Sequence, residues 1–234
     1  MADWKKGDIR MILSTIIFDF DGTLADTRKA AVRAFRETME ACGFLPPRRP
    51  GISELLTLPL EAYLRHAGIE DQHLIAEALQ TFDRQYRPIA ARIAHPFPGV
   101  HATIQLLGQT GLRRGIATNE IRANLDGLLS SFGLEDYFEA SICADEVAAP
   151  KPATDMLDDL LLRLNSEACE TLVVGDSVLD LQMGKAAGCM TCAVTYGAHT
   201  AQELQAHRPD WMIDDFPQLL DIDPVAAALR AVPN

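Results

Sequence analysis

Two carboxylates, Asp19 and Asp21, close the apolar run of "IIFDFDGTLADT" (16–27), and Gly22 and Thr23 follow them at once. On a strand, side chains two residues apart point to the same side, so two such charges repel unless a cation or a shared proton lies between them. Such a pair can divide the work of a displacement at phosphorus. Asp19 as nucleophile would form an acyl phosphate, which splits one hard displacement into two easier ones. Asp21 as general acid and base would protonate the leaving oxygen and later activate water.

Nucleophile and phosphate are both anionic, so positive charge must lie between them, and Mg²⁺ suits a site rich in oxygen and poor in cationic side chains. "GDSVLD" (175–180) supplies Asp176 and Asp180, four apart and on one face if a helix begins there. One would ligate the metal and the other would hold its waters. Lys151 stands between Pro150 and Pro152, where a stiffened, extended backbone suits a cation that must neutralise phosphate at a fixed point. Thr118 and Asn119 add a hydroxyl, an amide and main-chain donors at a helix start, and Gly22 lets the main chain approach a phosphate. Taken singly, each is an ordinary turn, cap or loop residue; their order and position along the chain carry the signal.

The elements that must position these groups follow from periodicity. Short apolar runs at 15–20, 114–118, 140–144, 171–176 and 190–196 predict strands, with an edge strand at 210–214. Helical stretches at 121–132, 154–165 and 179–187 lie between them, and this alternation predicts an α/β fold with a Rossmann-like parallel sheet covered on both faces. Ligands bind at the carboxyl ends of such strands, which is where Asp19, Asp21, Thr118, Asn119, Asp145, Glu146, Asp176 and Asp180 fall. Residues 28–93 contain no convincing strand. Amphipathic helices are expected at 29–42, 53–66 and 71–86, bracketed by Asp26 and Thr27 as helix caps and by "HPFPGV" (95–100) as a return linker. The reading is therefore a core of 1–27 and 94–234 with a small helical cap of 28–93 inserted after the first strand.

"DFDGTL" (19–24), Thr118 after the second strand, "KP" at 151–152 and "GDSVLD", in that order, resemble the four motifs of the haloacid dehalogenase superfamily, in its phosphoglycolate-phosphatase-like branch. The resemblance runs from about Ile16 to Asp215 and includes "GKAAGCMTCAVTYG" (184–197). It implies a Mg²⁺-dependent phosphatase working through an aspartyl phosphate. Asp19 is then the nucleophile and a metal ligand, Asp21 the acid and base whose carbonyl also ligates the metal, Thr118 and Lys151 the phosphate holders, Asp176 a metal ligand and Asp180 a supporting carboxylate. An acid at position 21 favours phosphate esters over the dehalogenase and phosphonate chemistries of other relatives. In the cap, Thr57 stands where related caps commonly carry Gly, and Arg48 and Arg49 are candidates to meet a substrate carboxylate. The leading substrate is 2-phosphoglycolate; pyrophosphate, phosphorylated sugars and nucleotides stay open, as does a sugar phosphomutase of the same fold.

A net charge of −12 over 234 residues argues against a nucleic-acid surface, so the expected partner is a small phosphorylated metabolite. No apolar stretch reaches the roughly 20 residues of a membrane span, and "MADWKKGDIR" lacks the apolar core of a signal peptide, so a cytoplasmic monomer or homodimer is expected. Five scattered cysteines fit reduced thiols, and Cys189 and Cys192, three apart on a strand, fall on opposite faces and read as core rather than as a metal pair. Two rivals lie outside enzymatic turnover. A phospho-accepting receiver-like domain expects a shorter chain and its phosphorylated Asp after a later strand; a dead binding protein expects loss of Asp19, Asp21, Lys151 or Asp176, and all four are present.

Overall fold

The computed structural model describes residues 13–44, 60–66 and 68–231. The described chain opens with β1 (Thr15–Phe18), turns through a two-residue β2 (Ala25–Asp26), and enters α1 (Arg28–Ala41), α2 (Leu60–His66) and α3 (Gln72–Ile93). It returns through β3 (His95–Pro96), which pairs antiparallel with β2. Then α4 (Val100–Leu107), β4 (Arg113–Thr118), α5 (Arg122–Phe132), β5 (Ala140–Cys143) and α6 (Asp155–Arg163) follow. The chain ends with β6 (Thr171–Gly175), α7 (Val178–Ala186), β7 (Met190–Val194), α8 (Ala201–Ala206), β8 (Trp211–Ile213) and α9 (Asp223–Arg230).

Six strands form one parallel sheet in the order β5-β4-β1-β6-β7-β8, with β8 on the edge. The apolar strands are continuous in hydrophobicity because both faces are covered. Ile16 and Phe18 of β1 and Leu172 and Val174 of β6 pack into one core, while Ile17 and Val173 pack on the other face against Leu157, Leu160 and Met183 of α6 and α7. Each such side chain stabilises the fold by about 1.5–3 kcal/mol on burial. Cys189 joins one of these cores and Cys192 the other, so the pair straddles the sheet, and all five cysteines are free thiols.

The helical insert builds a small core of its own. Phe35 and Met39, one turn apart on α1, meet Leu64 of α2 and Ile75 and Ala78 of α3. Asp71 caps α3 by accepting from the main-chain N–H groups of His73 (2.8 Å) and Leu74 (3.4 Å). The helix expected to stop at 86 runs on to Ile93, with Pro88 inside it. A proline there removes one main-chain bond, but Ile89 and Ala90 beyond it are buried and their burial offsets the loss. Residues 53–59 of the expected second helix lie outside the described residues. Residues 26 and 95–96, read as cap and linker, instead pair as the β2–β3 ribbon where the insert leaves and rejoins the core.

Candidate functional site

Strand order places the site. β1 lies in the middle with β4 on one side and β6 on the other, so the chain's direction of travel across the sheet reverses there and opens a crevice at the carboxyl ends. Asp19 follows β1 directly and its N–H still pairs with the Val174 carbonyl of β6 (2.9 Å). Thr118 ends β4, and Asp176 follows β6.

Carboxylate oxygens of Asp19, Asp176 and Asp180 lie within 4.8 Å of one another, and all three residues are buried. Lys151, also buried, donates from Nζ to Asp19 Oδ1 and to Asp180 Oδ1, both at 2.6 Å. Its own main-chain N–H donates to Asn119 Oδ1 (3.2 Å), which ties the "PKP" loop to the end of β4, and the Lys151–Pro152 peptide is cis. The two carboxylates keep the ammonium charged, and its pKa lies above the ordinary lysine value in spite of burial.

Burial pushes the Asp19 carboxyl up to about 7, with the Asp180 charge adding to it and Lys151 opposing. Burial likewise raises Asp176, reinforced by the charges of Asp19 and Asp180 and opposed by a 2.6 Å bond from the Ala198 N–H. Three buried acids with one bonded ammonium form an electrostatic deficit that a hard, oxygen-seeking cation would satisfy.

Asp180 sits at the third position of α7, where its Oδ2 accepts from Ser177 N (3.0 Å) and Ser177 Oγ (2.6 Å) in a reciprocal cap. α7 begins at Val178, so Asp176 lies before the helix and the two acids do not share a helix face as the sequence spacing predicts. Asp176 is nonetheless brought in by close backbone approach. Gly22 has φ +81°, and a Cβ there would run into the Asp176 carboxylate, so what approaches this glycine is a side chain of the site itself.

β1 stops at Phe18, so the alternation argument for Asp19 and Asp21 does not apply; a turn, bonded Gly22 N–H to Ala25 carbonyl (2.8 Å), carries Asp21 instead. Asp21 has partners of its own. Thr27 Oγ1 donates to its Oδ1 at 2.6 Å, and Tyr86 Oη of α3 approaches the same oxygen at 3.5 Å. Thr27, expected to cap α1, makes no side-chain cap bond there and serves Asp21. Burial pushes Asp21 up to about 7, with the nearby charge of Glu120 next and the Thr27 bond opposing.

Glu120 and Tyr86 are site residues that sequence reasoning missed. Glu120 lies two residues past the end of β4, where its Oε1 accepts from Ile121 N and Asn124 Nδ2, both at 2.9 Å. The signal was present for Glu120, an acid just beyond a strand end; nothing local marks Tyr86. Thr118 is buried and its Oγ1 accepts from Glu120 N (3.0 Å), which leaves its own hydroxyl proton free to donate. α5 starts at Arg122, so Thr118 closes β4 and Asn119 stands in the turn before that helix, neither at its first residue.

Asp145 and Glu146, at the end of β5, stay out of the cluster. Both are taken up by Arg122, Asp145 through its main-chain N–H (3.0 Å) and Glu146 through its guanidinium (2.6 and 3.1 Å). Arg48, Arg49 and Thr57 lie outside the described residues.

The family model described as haloacid dehalogenase-like hydrolase matches residues 16–194. Phosphoglycolate phosphatase of Yersinia pestis is 33% identical, over 88% of this chain and 90% of that protein. Pyrophosphatase PpaX of Halalkalibacterium halodurans is 29% identical, over 93% of this chain and all of that one. Among solved structures, CbbY from Rhodobacter sphaeroides in complex with phosphate superposes with a TM-score of 0.77 at 26% identity, covering 89% of this chain and 96% of that one. With its buried acids at the strand ends and relatives matched across nearly their whole length, the chain belongs to the haloacid dehalogenase-like hydrolases, in their phosphoglycolate-phosphatase-like branch.

Proposed function

We propose that the chain is a Mg²⁺-dependent phosphatase that hydrolyses a small phosphate monoester through an aspartyl phosphate on Asp19. The observation that carries this reading is Asp19 itself, buried at the end of the central strand and held by Lys151 among the acids Asp176 and Asp180. Its Oδ attacks phosphorus. Asp21 delivers a proton to the departing ester oxygen and then takes one from the water that hydrolyses the acyl phosphate. Lys151 and Thr118, with its free hydroxyl proton, hold the phosphoryl oxygens, with Asn119 acting through its bond to the Lys151 loop.

An all-oxygen, buried donor set fits Mg²⁺. Asp19, Asp176 and the Asp21 carbonyl would hold the ion, because Asp180 is engaged by Lys151 and Ser177. When bound, Mg²⁺ supplies positive charge against both the carboxylate nucleophile and the phosphoryl group.

Residues 28–93 are assigned as the cap and 1–27 with 94–234 as the catalytic core. The β2–β3 ribbon at the junction and the reach of Tyr86 from α3 to Asp21 support that division. A cytoplasmic location agrees with the free thiols, and no helix among the described residues is long and apolar enough to cross a membrane. Pyrophosphate is the second substrate reading, favoured by the full-length match to PpaX.

Phosphate release by wild type and Asp19→Asn, with Mg²⁺ and with EDTA, tests the proposal. Turnover that drops at least about 10³-fold in the variant, with an unchanged circular dichroism spectrum, is the expected result. Full activity in the variant would remove Asp19 as nucleophile, and undiminished activity in EDTA would remove the metal. Transfer of phosphate back to a sugar, with none freed, would convert the reading to a mutase.

A further inference from the structure

Asp19 and Asp21 keep separate company. Around Asp19 stand Lys151, Asp176 and Asp180; around Asp21 stand Thr27, Tyr86 and Glu120. If Asp21 protonates the departing oxygen, the leaving group must lie against Asp21, in the second set. This step rests on the phosphatase reading above.

Glu120 is the acid that joins Asp21 in that set. It is half-buried, and its Oε1 accepts two N–H bonds, from Ile121 and Asn124. Burial pushes the Glu120 carboxyl up and those two donors oppose it, and no Lys or Arg among the described residues pairs with Glu120. Tyr86, brought down by α3, brackets the same space, with its hydroxyl between Asp21 and Glu120. Asn124 in turn accepts from Arg87 Nε of α3 (3.4 Å), so the insert and the core meet beside Glu120. The nearest cation bonded to the acids, Lys151, is committed to Asp19 and Asp180.

We infer that Glu120 determines specificity by meeting the leaving group, favouring monoesters whose leaving group presents hydroxyl or ammonium donors and rejecting those that present a carboxylate. A hydroxyl or ammonium donates to Glu120 and so keeps a hydrogen-bond partner on leaving water. A carboxylate two carbons from the phosphate is brought towards the Glu120 carboxyl, with which no Lys or Arg among the described residues pairs. On this inference a polyol, sugar or amino-alcohol phosphate is preferred to the 2-phosphoglycolate expected from the sequence.

Three two-carbon monoesters differ mainly in their terminal charge: 2-phosphoglycolate, 2-phosphoethanol and O-phosphoethanolamine. kcat/KM for each is to be measured with the full chain and Mg²⁺, alongside 4-nitrophenyl phosphate as an aryl reference. Wild type is expected to favour the hydroxyl and ammonium esters over 2-phosphoglycolate by at least about tenfold. Glu120→Gln keeps an oxygen for Asn124 and Ile121 but loses the charge, and should shrink that ratio severalfold by raising 2-phosphoglycolate relative to the other two.

A wild-type preference for 2-phosphoglycolate overturns the inference without reference to any variant, and so does a ratio that Glu120→Gln leaves unmoved in folded protein. Those results leave the phosphatase standing if 4-nitrophenyl phosphate is turned over. Release from none of the four substrates overturns the phosphatase reading and the inference with it.

Discussion

At the residue scale, the site is a problem of buried charge. Lys151 is held between Asp19 and Asp180 with its side chain only 3% exposed. Replacing it by Met in metal-free protein leaves two buried acids without their cation, and should cost about 3–5 kcal/mol in urea unfolding. A loss below 1 kcal/mol would show that the ion pairs contribute little. Thr27 donates to Asp21 and so favours its ionised form. Thr27→Val removes that donor, and Asp21 should then hold its proton to higher pH. The limb of the kcat/KM profile on which a protonated acid is needed should move upward by about half to one unit, and a limb that stays or moves down refutes the role of Thr27. Asp19, Lys151, Asp176 and Asp180 were legible because each stands just beyond a strand or in a distinctive local sequence. Tyr86 was not, since it meets Asp21 from 65 positions away on a helix whose periodicity marks it only as apolar.

At the element scale, the features that place the site are strand ends and one long helix. α3 spans 22 residues and carries to the core Tyr86 and Arg87, which immediately precede a proline that sequence rules read as a stop. Pro88→Ala restores a main-chain N–H within that helix and should stabilise the protein by about 1–3 kcal/mol in urea. A destabilised variant would mean that the helix needs the local bend. At Gly22, both the positive φ and the adjacent Asp176 carboxylate exclude a side chain. Gly22→Ala should therefore lower Mg²⁺ affinity at least about tenfold, by displacing Asp176, as well as lowering stability. Calorimetric titration with Mg²⁺ measures this, and an unchanged affinity would show that Asp176 does not hold the ion.

At the scale of the whole molecule, the acids couple folding to pH and to metal. Asp19 and Asp21 sit up near 7 in the folded chain, against an ordinary value near 4 when unfolded. Between those limits the folded chain binds protons that the unfolded chain has released. In EDTA, stability should therefore fall as pH rises from about 4 through about 7, a drop in Tm of more than about 10 °C. Mg²⁺ should restore most of that loss at pH 8 and little at pH 5, where protons already occupy the carboxylates. A Tm in EDTA that rises across this window would refute the burial account of these acids.

The amino-acid sequence by itself determined the α/β class, the helical insert, the succession of strands and the chemical groups at their ends. Those depend on local periodicity and on short motifs such as "DFDGTL" and "GDSVLD", which are written in consecutive residues. The tertiary structure alone decided which charges meet. Lys151 reaches Asp19 across 132 positions, Glu120 bears on Asp21, and Glu146 is drawn away by Arg122. These pairings follow from the order β5-β4-β1-β6. Strand order and helix continuation are set by the net free energy of burying whole faces, a sum over distant contacts that no local stretch of sequence records.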